Sequence, residues 1–132
     1  MNGNEGLDLP TLAESHPRLR ADIGTTSGAA VCALAGDLDL HTRPIAEAAL
    51  GLVLLTRPPV LCVDMWDVQF CDSSGLTLLL RFRERCMDEG VSFALVAPSP
   101  RVARLLELTD TGTLLPVFAD SASAVAGLRH PV

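Results

Sequence analysis

Residues 60–76 read VLCVDMWDVQFCDSSGL, and this stretch decides the fold. Its first part, Val60 to Asp64, is a short apolar run bounded by turn signals, which is typical of a central β-strand. A helix is predicted from Ser74 to about Glu89, because leucines recur there at helical spacing. A buried strand that leads into an amphipathic helix is the repeating step of an α/β fold.

Strands and helices alternate on both sides of this stretch, and Gly, Pro or a capping residue bounds most of them. The further predicted elements are strands at 18–25 and 29–35, a helix from Thr42 to about Leu55, a strand at 91–97, a helix that Ser99 caps, a strand at 114–118 and a last helix to about Leu128. We therefore predict an α/β fold with a four- to five-stranded mixed β-sheet and about four α-helices mainly on one face.

The length of 132 residues corresponds to one domain. Residues 1–17 mix Asn, Gly, Glu, Ser and Pro without periodicity, so we predict a flexible N-terminal tail there and a domain over residues 18–132. Ten core side chains are predicted from the apolar periodicity: Val31, Leu34, Leu61, Val63, Leu76, Leu79, Leu80, Leu95, Leu105 and Leu106.

The charge and composition exclude several kinds of function. The net charge of −6 repels phosphate, so we expect neither nucleic acid nor an anionic membrane as a direct partner. The chain contains no lysine, which excludes a Walker A phosphate loop and Schiff-base chemistry. Its longest apolar run, Ala48 to Leu55, is too short for a membrane helix, and the first ten residues lack a basic signal region. We expect a cytoplasmic protein in which the four cysteines are core residues.

Two polar segments interrupt apolar runs where strands are predicted to end, at residues 36–39 (GDLD) and 71–75 (CDSSG). Strand-to-helix turns at one edge of such a sheet lie side by side, so we expect Asp39 and Ser73 at one surface. A phosphate on a serine at a helix N-terminus is stabilised by unsatisfied backbone N–H groups and by the helix dipole. Taken alone, these four residues favour the simpler interpretation that both serines are only helix caps.

Three separated segments resemble those of the anti-sigma-factor antagonists, which are single STAS domains of bacteria. Residues 36–39 are similar to the family's Gly-Glu-Leu-Asp turn, residues 60–76 to its strand followed by Asp-Ser-Ser/Thr-Gly-Leu, and residues 99–106 to its Ser-Pro-x-Val-x-Arg-Leu segment. The resemblance runs from about Ala29 to Val125. It implies the STAS fold.

The resemblance also implies a function and its residues. Ser73 occupies the position of the family's regulatory phosphoserine, with Ser74 as the second candidate, and the partner-binding residues would be Asp39, Asp72, Ser73, Ser74 and Gly75. The implied partner is an anti-sigma factor that is also a serine kinase with a histidine-kinase-like ATPase fold. A PP2C-type phosphatase would remove the phosphate. No catalytic residue, metal or cofactor is expected.

The chain departs from the family pattern at two places. Cys71 stands where the family usually has Met, and the apolar role is expected to persist. After the third helix, residues 109–112 (TDTG) replace the family's Ser/Thr-Gly-Leu. Because Asp tolerates the left-handed backbone conformation better than most residues, Asp110 is expected to preserve that turn.

Two alternative functions stay open at this point. One is a STAS scaffold or sensor-complex module without phosphoregulation. The other is a serine hydrolase, with Ser73 or Ser74 as nucleophile and His41 as base, although the pattern Gly-x-Ser-x-Gly is absent around both serines.

Overall fold

The computed structural model describes residues 14–26 and 28–128. Three antiparallel strands come first along the chain, and helices then alternate with strands. The elements are β1 (Glu14–His16), β2 (Leu19–Thr26), β3 (Ala29–Leu38), α1 (Arg43–Leu55), β4 (Val60–Cys71), α2 (Ser73–Asp88), β5 (Ser92–Val96), α3 (Pro100–Leu108), a 3₁₀ turn (Thr111–Thr113), β6 (Val117–Phe118) and α4 (Ser121–Leu128).

The strands form one sheet in chain order from β1 to β6. The pairs β1–β2 and β2–β3 are antiparallel, whereas β3–β4, β4–β5 and β5–β6 are parallel. The predicted α/β class with a mixed sheet is confirmed. The sheet has one strand more than predicted because β1, at Glu14–His16, lies inside the segment interpreted as a tail. Residues 1–13 and 129–132 lie outside the described residues.

The two faces of the sheet carry separate apolar clusters. The larger cluster packs the alternate residues Ala30, Cys32 and Leu34 of β3 beneath helices α1 and α2, while Val102 and Leu106 of α3 join it. The smaller cluster covers the opposite face with α4. Seven of the ten predicted core side chains are buried, and the other three, Val31, Leu80 and Leu105, are partly buried against these clusters.

Strands β3 and β4 are both longer than predicted, since residues 36–38 were expected to break one strand and Asp64 to end the other. Instead the two strands stay paired as far as Leu38 and Cys71. Ala33 of β3 is paired with Asp64 of β4, whereas Ala35 is paired with Asp67, so β4 contains one extra residue between these pairs. A second irregularity in the pairing follows Gly36. Such bulges bend and twist a strand, and here two exposed aromatic side chains, Trp66 and Phe70, lie along the bulged half of β4.

Gly36 is required where β3 passes the β1–β2 turn. Its φ of +114° is a conformation that L side chains rarely adopt, and a Cβ there would overlap the carbonyl oxygen of Arg18. That carbonyl accepts a 2.7 Å hydrogen bond from the backbone N–H of Asp37. The close approach therefore brings Arg18 to the end of β3. No helix within residues 14–26 and 28–128 has the length and apolar character to cross a membrane.

Candidate functional site

The ends of β3 and β4 meet at one edge of the sheet. Leu38 is paired with Cys71, and the Leu38 carbonyl accepts a 3.2 Å hydrogen bond from the backbone N–H of Asp72. Asp39 follows Leu38 directly and Ser73 follows Asp72 directly. The backbone thus brings the two polar segments singled out in the sequence together at this edge.

Helix α2 begins at Ser73, one residue earlier than predicted, and its N-cap is Asp72. The Asp72 carboxylate accepts a 3.1 Å hydrogen bond from the backbone N–H of Gly75. The interpretation of the serines as helix caps is therefore wrong, because a carboxylate performs that role. Ser73 is exposed and Ser74 is half-buried. Neither hydroxyl has a hydrogen-bond partner among the residues that the structure describes.

Gly75 is buried where α2 crosses the end of β3. A Cβ on Gly75 would lie 2.7 Å from the Cys71 sulfur and 2.9 Å from both Cγ and the carbonyl oxygen of Leu38. Real Cβ atoms do not approach other atoms so closely. Gly75 therefore sets the distance between α2 and β3, and through it the position of Ser73.

The Asp39 carboxylate is held by backbone N–H groups of its own loop and by the guanidinium of Arg18. Its Oδ1 accepts hydrogen bonds from the backbone N–H groups of His41 and Thr42, at 2.9 and 3.0 Å, and its Oδ2 accepts one from the Arg18 guanidinium at 2.6 Å. The Arg18 hydrogen bond, followed by the backbone donors, holds the pKa of Asp39 well below its usual range, against an opposing effect of desolvation. Asp39 is therefore a fixed negative charge near the start of helix α2.

Sequence reasoning missed Arg18, which lies 21 residues before Asp39. It occupies the turn between β1 and β2, and its guanidinium also lies 3.5 Å from the carboxylate of Asp37. No local pattern marks such a residue, since the contact depends on the hairpin and on the close approach at Gly36.

Thr42 is the N-cap of α1, as predicted, but its side chain does not bond to the helix N–H groups. The buried hydroxyl of Thr42 donates a 2.7 Å hydrogen bond to the Asp37 carbonyl and accepts a 2.9 Å bond from the Asp39 N–H. The hydroxyl thus bridges the loop instead of capping the helix. Together with Arg18 it makes the loop from β3 to α1 a fixed structure.

Cys71 packs as an apolar residue beneath the site. Burial, and then the neighbouring charge of Asp72, raises the pKa of this thiol to about 12. The other cysteines, Cys32, Cys62 and Cys86, are buried and free, so the predicted core role is confirmed. In the described ranges, no three His, Cys, Asp or Glu side chains are grouped to hold a metal ion.

Comparison with known proteins agrees with this architecture. The sequence profile of the STAS domain matches residues 20–124. The chain belongs to the STAS domain family.

Several relatives of this STAS domain are regulators. The anti-sigma-F factor antagonist RsfB of Mycobacterium tuberculosis is 30% identical over 103 residues, which cover 78% of this chain and 84% of RsfB. The crystal structure of an anti-sigma factor antagonist from Mycobacterium paratuberculosis matches with a TM-score of 0.77 and 28% identity, over 88% of this chain and 99% of that one. The resemblance inferred from the sequence is confirmed.

A third match concerns the fold alone. The phosphorylated form of the Bacillus cell fate determinant SpoIIAA matches with a TM-score of 0.60 and 19% identity, over 82% of this chain and 98% of that one. At this identity the likeness shows a shared fold.

The altered loop after α3 keeps the turn that was expected of it. Asp110 adopts the left-handed conformation, with φ 59° and ψ 21°, in this STAS domain. The preceding Thr109 hydroxyl donates a 2.7 Å hydrogen bond to the Leu105 carbonyl and closes the end of the helix. The prediction that Asp110 preserves the turn is confirmed.

His41 lies in the loop that Asp39 organises. Its side chain is exposed, and its backbone N–H is bound to the Asp39 carboxylate. Within the described part of the STAS domain, the His41 ring makes no hydrogen bond with the hydroxyl of Ser73 or Ser74. The arrangement lacks the nucleophile–base contact that identifies a serine hydrolase.

Proposed function

We propose that this protein is an anti-sigma-factor antagonist switched off by phosphorylation of Ser73. In its unmodified form it binds an anti-sigma factor that is also a serine kinase with a histidine-kinase-like ATPase fold, and this binding releases a sigma factor. The kinase phosphorylates Ser73 and the complex dissociates, and a PP2C-type phosphatase restores the active form. The observation that carries the proposal is the exposed Ser73 hydroxyl at the first position of α2.

The local backbone supports a phosphate at this position. The first N–H groups of a helix have no acceptor within the helix, and Asp72 occupies only the one at Gly75. The remaining N–H groups of the first turn and the helix dipole favour an anion at Ser73. SpoIIAA, which shares the fold, exists in a phosphorylated form, so this fold is compatible with a phosphate.

The charges around Ser73 support the switch itself. A phosphate adds about −1.5 to −2 charges at pH 7 beside the carboxylate of Asp72. The Arg18 guanidinium at this edge of the sheet is already paired with Asp39. Burying an unpaired phosphate against a partner costs several kcal/mol, which corresponds to orders of magnitude in affinity.

Ser73 is the better phosphoacceptor of the two serines. Its side chain is exposed, whereas that of Ser74 is half-buried. A kinase must place its ATP within reach of the hydroxyl, and exposure gives it that access. Ser74 stays the second candidate.

The test uses the purified chain, ATP and each histidine-kinase-like anti-sigma factor encoded in the same genome. We expect one of them to bind the unmodified chain and to phosphorylate Ser73, as located by phosphopeptide mass spectrometry. Ser73→Ala abolishes the modification and keeps the complex intact, Ser73→Asp weakens the complex, and the comparison variant Ser74→Ala keeps the phosphorylation of Ser73.

Three results would contradict the proposal. Phosphate on Ser74 alone, or undiminished phosphate in Ser73→Ala, overturns the assignment of the acceptor. Stable binding without phosphorylation of any residue favours instead a scaffold or sensor-complex module. Hydrolysis of an acetyl ester that is lost in Ser73→Ala or Ser74→Ala favours the hydrolase.

A further inference from the structure

An apolar groove lies near the start of helix α2, where Ser73 is the first residue. It has a volume of about 250 Å³ and is lined by Phe70, Cys71, Arg101, Arg104, Leu105 and Leu108. One wall is the end of β4 and the other is α3. Because Cys71 directly precedes Asp72 and Ser73, the groove opens next to the proposed phosphoacceptor.

The groove exposes large apolar side chains to solvent. Phe70 is 47% exposed and Leu108 is 69% exposed. A second hollow of about 300 Å³ adjoins it through Arg101 and contains Trp66, which is 61% exposed. The two aromatic residues lie along the bulged half of β4. The surface thus includes the half of β4 that continues beyond the predicted end of the strand and contains both irregularities.

The groove is cationic although the protein is acidic. The chain has a net charge of −6, yet the six lining residues include two arginines and no carboxylate. Neither Arg101 nor Arg104 forms a salt bridge with any residue in the described ranges, and Asp67 is the one acidic residue that lines the adjoining hollow. The two cations are therefore available to a partner.

We propose that this groove docks an acidic segment of the anti-sigma factor that carries apolar side chains, a step that rests on the proposed function. The apolar floor accepts such side chains, and Arg101 and Arg104 match carboxylates at the rim. Arginine and aromatic residues dominate the energetics of protein interfaces, and complementary charge gives specificity and fast association. Docking in the groove places the partner against the Ser73 hydroxyl.

The test compares Arg104→Glu with Arg57→Glu, a matched charge reversal. Arg57 is exposed and precedes β4, at the opposite end of the sheet, and its ion pair with the half-buried Glu89, at 3.5 Å, contributes little to stability. The probe is the purified anti-sigma factor that binds the wild-type chain. We expect the Kd to rise about tenfold or more for Arg104→Glu, with a weaker dependence on salt, and to change less than about twofold for Arg57→Glu.

Two further measurements separate docking from chemistry. Leu108→Ser removes an exposed apolar side chain without changing charge, and we expect it to raise the KM for phosphorylation more than it lowers kcat. A 5-fluorotryptophan label at Trp66, the single tryptophan, gives one ¹⁹F resonance, which is expected to shift when the partner binds. Unchanged melting curves of the three variants, Arg104→Glu, Arg57→Glu and Leu108→Ser, exclude misfolding as the cause.

The outcomes distinguish this inference from the proposed function. If wild type is bound and phosphorylated while Arg104→Glu behaves as Arg57→Glu, the groove proposal fails alone. If the wild-type chain self-associates in sedimentation and Arg104→Glu abolishes this without changing the Kd for the partner, the groove is a contact between copies and the proposal is overturned. If no anti-sigma factor binds wild type, both proposals fail.

Discussion

The guanidinium of Arg18 lies 2.6 Å from the carboxylate of Asp39 and joins the β1–β2 turn to the loop beside Ser73. Because Asp39 also accepts hydrogen bonds from two backbone N–H groups, its carboxylate fixes the conformation of the loop between β3 and α1. The resemblance to antagonists implied partner contact for Asp39. The geometry assigns it a second role, which is to fix the loop between β3 and α1 that lies beside Ser73.

The Arg18–Asp39 pair predicts a specific dependence of stability on pH. The pKa of Asp39 is lowered in the folded state, chiefly by Arg18, from an unfolded value of about 3.9. The pair therefore stabilises the fold above about pH 4, and this contribution is lost as the pH falls through the folded pKa. We expect the melting temperature of Arg18→Gln to fall less steeply than that of wild type between about pH 5 and pH 2.

The control for this prediction is Arg20→Gln. It removes the ion pair between Arg20 and Asp22, in which both side chains are at least half exposed. Arg20→Gln is expected to keep the wild-type slope. Equal slopes for wild type and both variants would show that the Arg18–Asp39 pair does not contribute.

Gly75→Ala is expected to destabilise the protein by about 1–3 kcal/mol, because the added Cβ overpacks the contact with Leu38 and Cys71. The matched control is Gly51→Ala in α1, where a Cβ meets no atom within 4 Å. That change is expected to stabilise the helix by about 1 kcal/mol. Denaturant unfolding measures both, and a Gly75→Ala variant as stable as wild type would contradict the packing argument.

Asp72→Ala and Ser73→Ala are expected to differ in stability although the residues are adjacent. Asp72 caps α2, so its replacement costs about 1 kcal/mol. Ser73 makes no side-chain hydrogen bond within the described residues, and its replacement is expected to change the free energy of unfolding by less than about 0.5 kcal/mol. If Ser73→Ala lowered the free energy of unfolding as much as Asp72→Ala, the serine would be identified as the helix cap.

Asp110 is expected to tolerate Gly and to reject Val. Its φ of 59° is free of strain for Gly, whereas a β-branched residue there costs about 1–2 kcal/mol. Thermal unfolding of Asp110→Gly and Asp110→Val measures the difference. Equal stability of the two variants would mean that the loop rearranges to a different conformation.

Features that depend on local chemistry were predictable from the sequence. Ser99 followed by Pro100 indicates a helix start, and in the structure Ser99 accepts a hydrogen bond from the Val102 N–H. The meeting of Asp39 and Ser73 at one edge follows from a general property of strand ends in α/β sheets. Phosphorylation of Ser73 stays a prediction.

Features that depend on long-range pairing were not predictable. The polar residues Asp64 and Asp67 interrupt the apolar run of β4, yet β3 pairs with this half of the strand and supplies its backbone hydrogen bonds. The Arg18–Asp39 contact likewise requires a hairpin and a glycine far apart in the sequence. The groove lies between α3 and the bulged half of β4, and β-bulges leave no periodic signal in a sequence.

The small apolar cluster under α4 determines which part of the protein unfolds locally first. Helix α4 has eight residues and only one buried side chain, Ala124, which rests on small residues such as Ala29, Cys62 and Ala94. Little apolar area is released when such a helix detaches, so its separation requires much less free energy than global unfolding. The amide protons of α4 are therefore expected to exchange with solvent deuterium before those of α1 and α2, through a transient species that keeps the Ser73 edge folded.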